Sequence, residues 1–233
     1  MKLFHRQILV ILLAFSSLIS FAQAFEENHN RIYGYDPLLY NGRIYTFSPQ
    51  PGTIGTQFLY PDFDTKGTAT LRGIVYSDLT INYDVYNQQL VLKYVNSIGS
   101  GSQIEVSEAW LESFELYGSH FEILSTIDTT KRIFQVLGKG KVKIAYYRRK
   151  ELALDTRTSS RNHFFSDPLL ERFVMIGSKM DKYKNNRSFV AMFNPVQQDL
   201  IKKYLRKNKI KVKKANDMLM TDLINYCNTL GGS

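Results

Sequence analysis

Apolar and polar residues alternate most regularly between positions 71 and 94, where the chain runs LRGIVYSDLTINYDVYNQQLVLKY. Successive side chains of a strand point to opposite faces. Val75, Ser77, Leu79, Ile81 and Tyr83 therefore share one face, mostly apolar, while Ile74, Tyr76, Asp78 and Thr80 share the other. Leu90, Leu92 and Tyr94 resume the pattern after a break at 85–87. Asp84 and Asn87 suit that break, because their short side chains bond nearby backbone groups in turns. The pattern predicts a β-hairpin with the Leu79, Ile81, Tyr83 face toward the core. Two strands alone are marginal in water, so the rest of the chain must add strands or a covering helix.

Weaker alternation recurs on both sides. It predicts extended segments at 55–60, at 104–106, and at 114–117 paired with 121–124 across Gly118-Ser119. A further hairpin joins 133–137 to 142–147 across Gly138-Lys139-Gly140-Lys141, and strands follow at 173–176 and 188–193. Asn41-Gly42, between aromatic flanks, suggests a short hairpin or tight turn, and Ser48-Pro49-Gln50-Pro51-Gly52 breaks the chain. Residues 154–168 read as a surface excursion and 179–187 as a charged turn region.

Beyond 193 the period becomes helical. Asn194 fits an N-cap and Pro195 the first helical position, with Val196, Leu200, Ile201, Tyr204 and Leu205 as the apolar stripe. Lys202, Lys203, Arg206 and Lys207 fall on or beside the opposite side. Asn216 can cap a second helix, in which Met218, Leu219, Leu223, Tyr226 and Cys227 recur, and Gly231-Gly232 ends it. Strands first and helices last point to an α+β fold. The expected architecture is an antiparallel hairpin meander forming a curved sheet, with two C-terminal helices packed on it. It is a single domain over 25–233, mainly β to 193 and helical from 194 to 233.

Residues 1–24 have the pattern of a signal peptide. Lys2, His5 and Arg6 make a basic start, 8–19 is apolar, and Ala22-Gln23-Ala24 offers a small-x-small cleavage signature. The apolar run is shorter than the ~20 residues of a membrane helix. Export to the periplasm, the outer-membrane side or the exterior is the expectation, with no transmembrane span after cleavage. Phe25, not Cys, follows the cleavage site, which argues against a lipid-attached form. Cys227 is the single cysteine, so no internal disulfide forms; its apolar surroundings predict burial on a helix.

Charge divides the chain. Residues 25–138 carry 7 Lys/Arg against 13 Asp/Glu, and residues 139–214 carry 21 against 6. Either the two halves attract each other, or the basic half displays a cationic face to a polyanion or an anionic membrane. In an extended stretch 207–213, Lys207, Lys209, Lys211 and Lys213 would form one row. Arg148-Arg149-Lys150 adds a second basic run at the end of a predicted strand.

Signals for chemistry are weak. His29, His120, His163 and Cys227 are not at metal-ligand spacing. The run Asp62-Phe63-Asp64-Thr65-Lys66-Gly67 resembles part of a calcium loop, but Lys66 and the lack of a following Glu at the proper distance count against it. Ser160, His163 and Asp167 are close in sequence but carry no G-x-S-x-G context. Glu108 and Glu112 are the densest place to look for paired carboxylates, and with Glu105 and Glu115 they read as solvated surface. Gly138-Lys139-Gly140-Lys141 is a hairpin turn, not a phosphate loop. No cofactor is expected.

Several segments together resemble a group of exported proteins of Bacteroidota. The matching features are Leu39-Tyr40-Asn41-Gly42, the hairpin around Tyr83-Asp84, Phe114 to Phe121, the 134–141 hairpin and Leu223-Ile224-Asn225-Tyr226-Cys227-Asn228. The resemblance implies export and implies no activity or catalytic residue.

The leading expectation is a non-enzymatic, envelope-associated binding or scaffold domain. Its basic surface, with Arg148, Arg149, Lys150, Lys209, Lys211 and Lys213, meets an anionic envelope component or an acidic protein surface, not nucleic acid. Two alternatives come from other classes. One is a lipid- or hydrophobe-binding half-barrel, which needs a large apolar cavity. The other is a hydrolase without a recognisable motif, which needs a cleft with two convergent carboxylates of perturbed proton affinity.

Overall fold

A computed structural model describes residues 36–62, 66–95, 100–126, 130–155 and 162–231. The expected signal peptide, Asp64 and Ser160 lie outside these residues. Hairpin follows hairpin through most of the chain. The strands are β1 (Arg43–Ile44), β2 (Lys66–Leu71), β3 (Ile74–Asp84), β4 (Gln89–Val95), β5 (Gly101–Glu105), β6 (Leu111–Leu116) and β7 (Ser119–Ser125). They continue with β8 (Lys131–Leu137), β9 (Val142–Arg149), β10 (Leu152–Leu154), β11 (His163–Phe165), β12 (Leu169–Ile176) and β13 (Lys179–Lys182). Eleven make one antiparallel sheet in the order β1-β5-β4-β3-β2-β6-β7-β8-β9-β12-β13, and β10 pairs with β11 apart from it. The sheet is open and uncurled, where the sequence pattern suggests a curved one. The ends of its strand order, β1 and β13, remain edges, and the lysines at both ends of β13 mark that edge.

Among the described residues, four helices accompany the sheet: α1 (Pro37–Tyr40), α2 (Asn186–Val190), α3 (Pro195–Lys207) and α4 (Asp217–Thr229). The last two match expectation, and their caps are the expected ones. Asn194 Oδ1 accepts from Gln197 N at 2.9 Å and Asn216 Oδ1 from Leu219 N at 2.9 Å, each supplying a partner to a helix-end N–H that has none in the helix.

Two short helices replace predicted extended structure. Over 188–193 the pattern Ser-Phe-Val-Ala-Met-Phe predicts a strand, but the chain turns into α2. Asn185 and Ser188 form a reciprocal capping box, and helical spacing brings Phe189, Val190 and Phe193 into the core. Residues 179–182, read as charged turn, pair with β12 as β13. At the N-terminal side, Asp36 caps α1 with Pro37 behind it, so Asn41 ends a helix and does not turn a hairpin. Gly42 is needed for another reason: a β-carbon at this position would collide with the Glu105 carbonyl.

One face of the sheet carries both large hydrophobic clusters. Cross-strand partners share a face. The register runs from Leu79 to Gly67, from Ala69 to Phe114, then to Phe121, Gln135, Tyr146 and Arg172. The first cluster holds Leu79, Ile81, Tyr83, Leu90, Leu92, Phe114 and Phe121. Ile81 packs over Gly67, where a β-carbon would collide with it, and the Tyr83 ring reaches Phe114 at 5.8 Å and Phe121 at 5.6 Å, edge-on to their stack. The hairpin's expected core face is thus buried from Leu79 on. Val75, at its far end, is 64 % exposed because a β-bulge intervenes, with Asp78 at φ 59°: Val75 pairs with Thr70 on the opposite face, and Tyr76, opposite Ala69, packs on the cluster instead.

The second cluster joins Ile144, Tyr146 and Val174 of the sheet to Phe189, Ile201, Leu205, Leu223 and Ile224 of the helices. A polar seam crosses between the clusters. Tyr83 Oη donates to Gln88 Oε1 at 2.7 Å, and Gln88 Nε2 to the Arg148 carbonyl at 2.9 Å. Arg148 Nε donates to Gln135 Oε1 at 2.8 Å, and Gln135 Nε2 to Asp217 Oδ2 at 2.7 Å. Buried Gln135 therefore has both ends of its amide bonded, as a polar group away from water requires.

Candidate functional site

Two places in the fold concentrate polar chemistry. The first is the turn after β3. Asp84 is fully buried and accepts from Tyr45 Oη at 2.7 Å, Tyr86 N at 3.0 Å, Asn87 N at 2.8 Å and Asn87 Nδ2 at 2.8 Å. Burial, then donation to Asp84, holds the Tyr45 hydroxyl well above the usual phenol range. Every lone pair of the carboxylate is engaged, by the turn it shapes and by Tyr45, so Asp84 is a structural anchor.

The second place is a concavity of about 630 Å³ between α2 and α3. Its floor is apolar: Val190, Ala191, Leu205 and Ile210. Around that floor stand Arg187, Lys202, Arg206, Lys209 and Lys211. Among the described residues, no aspartate or glutamate lines it. Among the described residues, the ion pair at this rim is Lys202 with Asp199, 3.0 Å apart, and the Asp199 side chain is largely exposed. An exposed pair of that kind is worth little and leaves the local charge strongly positive.

Local structure explains why these cations converge. Lys202 and Arg206 are four residues apart and lie on one flank of α3. Asn186 fixes the following segment: its Nδ2 donates to the Ile210 carbonyl at 2.8 Å, and its Oδ1 accepts from Val212 N at 2.9 Å. Ile210 and Val212 are buried on either side of exposed Lys211, so the expected alternation survives although the segment is turn and not strand. The end of α3 is a Schellman motif, with Ile210 N bonded to Leu205 O and Lys209 N to Arg206 O. Lys209 occupies its left-handed position at φ 53°, a site that favours glycine. The backbone is held there in a conformation costing a lysine about 1 kcal/mol, and the side chain stands on the rim of the concavity.

The sequence-predicted basic residues divide between two places. Lys209 and Lys211 line the concavity, and Lys213 is exposed on the turn at 212–214. Arg148 lies in the polar seam. Arg149 Nη1 donates to Glu151 Oε1 at 2.6 Å, and its Nε lies 3.8 Å from Glu171 Oε1. Lys150 Nζ donates to the Thr56 carbonyl at 2.7 Å and the Phe58 carbonyl at 2.6 Å, tying the 50s segment to the end of β9. Burial lowers the proton affinity of that amine. Arg187, Lys202 and Arg206 complete the concavity, and sequence reasoning did not select them. The i, i+4 spacing of Lys202 and Arg206 was a readable signal; the approach of Arg187 was not.

Of the other candidates, His163 begins β11 and Asp167 follows it, while Glu108 lies in the turn before β6 and Glu112 on β6. Among the described residues no group of three His, Cys, Asp or Glu is placed to hold a metal ion, and no helix is long and apolar enough to cross a membrane. No family model, curated protein or solved structure matches the chain.

Proposed function

We propose that the protein is an exported, non-catalytic binding domain of the cell envelope, and that the concavity between α2 and α3 holds an anionic group of its partner. One observation carries the reading: among the described residues, five cations surround an apolar floor with no carboxylate in the lining. Like charges gathered on one rim repel one another, so the arrangement gains most from a bound anion. The strained lysine at 209 supports it. A fold selected for stability alone favours glycine at that position.

Binding to a soluble polyanion, dextran sulfate, tests the reading by titration at low salt. The triple variant Arg206→Ala, Lys209→Ala, Lys211→Ala binds at least roughly tenfold more weakly, with a shallower salt dependence. Lys209→Gly is the sharper variant. It melts at a higher temperature than the wild type, because glycine relieves the left-handed strain, yet binds more weakly. Equal binding by wild type and triple variant overturns the reading.

A further inference from the structure

The concavity is amphiphilic, and so is the helix beside it. Beneath a small inorganic anion or a sulfated polymer, exposed Ala191 and the alkyl stems of the surrounding cations would stay wet, over a floor of buried Val190, Leu205 and Ile210. A neutral hydrocarbon would add no counter-charge to a rim of Arg187, Lys202, Arg206, Lys209 and Lys211, of which Lys202 has Asp199. An occupant carrying both an acidic head and an alkyl portion satisfies the whole surface.

The outward stripe of α3 has the same character. Val196, Leu200, Lys203 and Lys207 recur at i, i+4, i+7 and i+11 and are all exposed, Val196 by 76 % and Leu200 by 37 %. Ile201 and Leu205 face the core, so this stripe is the helix's surplus apolar surface. It runs from apolar residues at the N-terminal end to lysines at the C-terminal end. Long amine stems can lie along an apolar layer while their heads stay in water. With 13 residues, α3 is too short to span a bilayer but suited to lie along one.

We infer that the anionic partner is the acidic lipid of a bilayer surface, its headgroup in the concavity between α2 and α3 and the outward stripe of α3 resting on the interface. The inference builds on the anion-binding reading above and adds the partner's class. Charge complementarity sets the orientation. Lys202, Arg206 and Lys209 of the concavity and Lys203 and Lys207 of the stripe share the C-terminal half of α3 and its cap, and the nearby carboxylate, Asp199, is already paired with Lys202.

Sedimentation with vesicles separates the two claims. The wild type is expected to sediment with phosphatidylglycerol–phosphatidylcholine vesicles at low salt, to be released at high salt, and to ignore vesicles of phosphatidylcholine alone. Each cation of the concavity replaced by alanine weakens vesicle binding about fivefold. The double variant Val196→Ser, Leu200→Ser changes only exposed side chains and keeps its melting temperature. It loses vesicle binding severalfold while binding dextran sulfate like the wild type. Retention of full vesicle binding by that double variant overturns the lipid inference. So does binding to dextran sulfate without binding to acidic vesicles, an outcome that leaves the anion-binding reading standing. Failure to bind either probe overturns both.

Discussion

Two hydrophobic clusters lie on one face of one sheet and are closed in different ways. The first, from β3 to β7, is sealed by its own aromatic rings and by residues such as Leu39 and Leu59 from the segment before β2. The second, on β9 and β12, is sealed by three helices. Closure by rings and loop leaves few side chains to spare, because the covering residues are bent inward and their backbone is tied down. Asp84 and Lys150 illustrate this, each spending its charge on the chain itself. Closure by helices is different. A helix buries one stripe and must present the rest to water. On α3 that remainder is Lys202, Lys203, Arg206 and Lys207, with Val196 and Leu200. The basic half of the sequence therefore becomes a displayed surface where it covers the core and an internal tie where it belongs to the sheet.

The contrast can be broken first at the level of packing. Phe114→Ala in the first cluster and Phe189→Ala in the second each remove a fully buried ring and should cost roughly 3–5 kcal/mol in urea unfolding. If the shared sheet makes the clusters one cooperative unit, both variants shift a single transition detected by fluorescence and circular dichroism together. Separate transitions would show that the closures are independent.

A pH experiment sharpens the second closure. Burial in the helical cluster pushes the Cys227 thiol from its ordinary 9.0 up to about 12. The unfolded chain loses that proton first, so the stabilisation is complete below pH 9 and drains away as pH climbs toward 12. The slope from this group is about 1.4 kcal/mol per pH unit inside that window. Cys227→Ala should flatten the fall in unfolding free energy above pH 9 relative to the wild type. A native thiol that reacts with a disulfide reagent at pH 8 as fast as an unfolded one would contradict the burial.

Polar ties come next in size. Asp84→Ala leaves Tyr45 Oη, Tyr86 N and both Asn87 donors without their acceptor. Asn228→Ala frees Val142 N and the carbonyls of Lys139 and Val142, by which α4 grips the β8–β9 hairpin. Each should cost about 1–3 kcal/mol, with Asp84→Ala the larger because its acceptor is a buried carboxylate. Smallest is Asn194→Ala, which removes the cap of α3 for about 1 kcal/mol. Circular dichroism melts rank all three.

Much of this architecture was legible in the sequence. The alternation at Leu79, Ile81 and Tyr83 and the Asp84–Asn87 turn marked β3 and β4, and Asn194-Pro195 and Asn216 marked both long helices. What escaped had a physical reason. Ser188, Phe189 and Val190 are equally at home in a strand, and only the capping box closed with Asn185 commits them to a helix. Gly42 suggested a turn when its actual role is to let β5 approach. For the concavity, Lys209 and Lys211 were visible because buried Ile210 and Val212 alternate with them. Arg187 was not, since its place on the rim depends on how α2 leans on α3, a tertiary fact with no local signature.

The free edge at β13 has a bearing on how copies of the protein behave when crowded. Strand edges recruit other strands, and protruding lysines are a common deterrent. Lys179 and Lys182 stand at the two ends of that four-residue edge, with salt-sensitive partners Asp181 and Glu171. Neutralising both lysines would leave Met180 and its neighbours as an unguarded template, and concentrated stocks would then be expected to thicken into oligomers on storage.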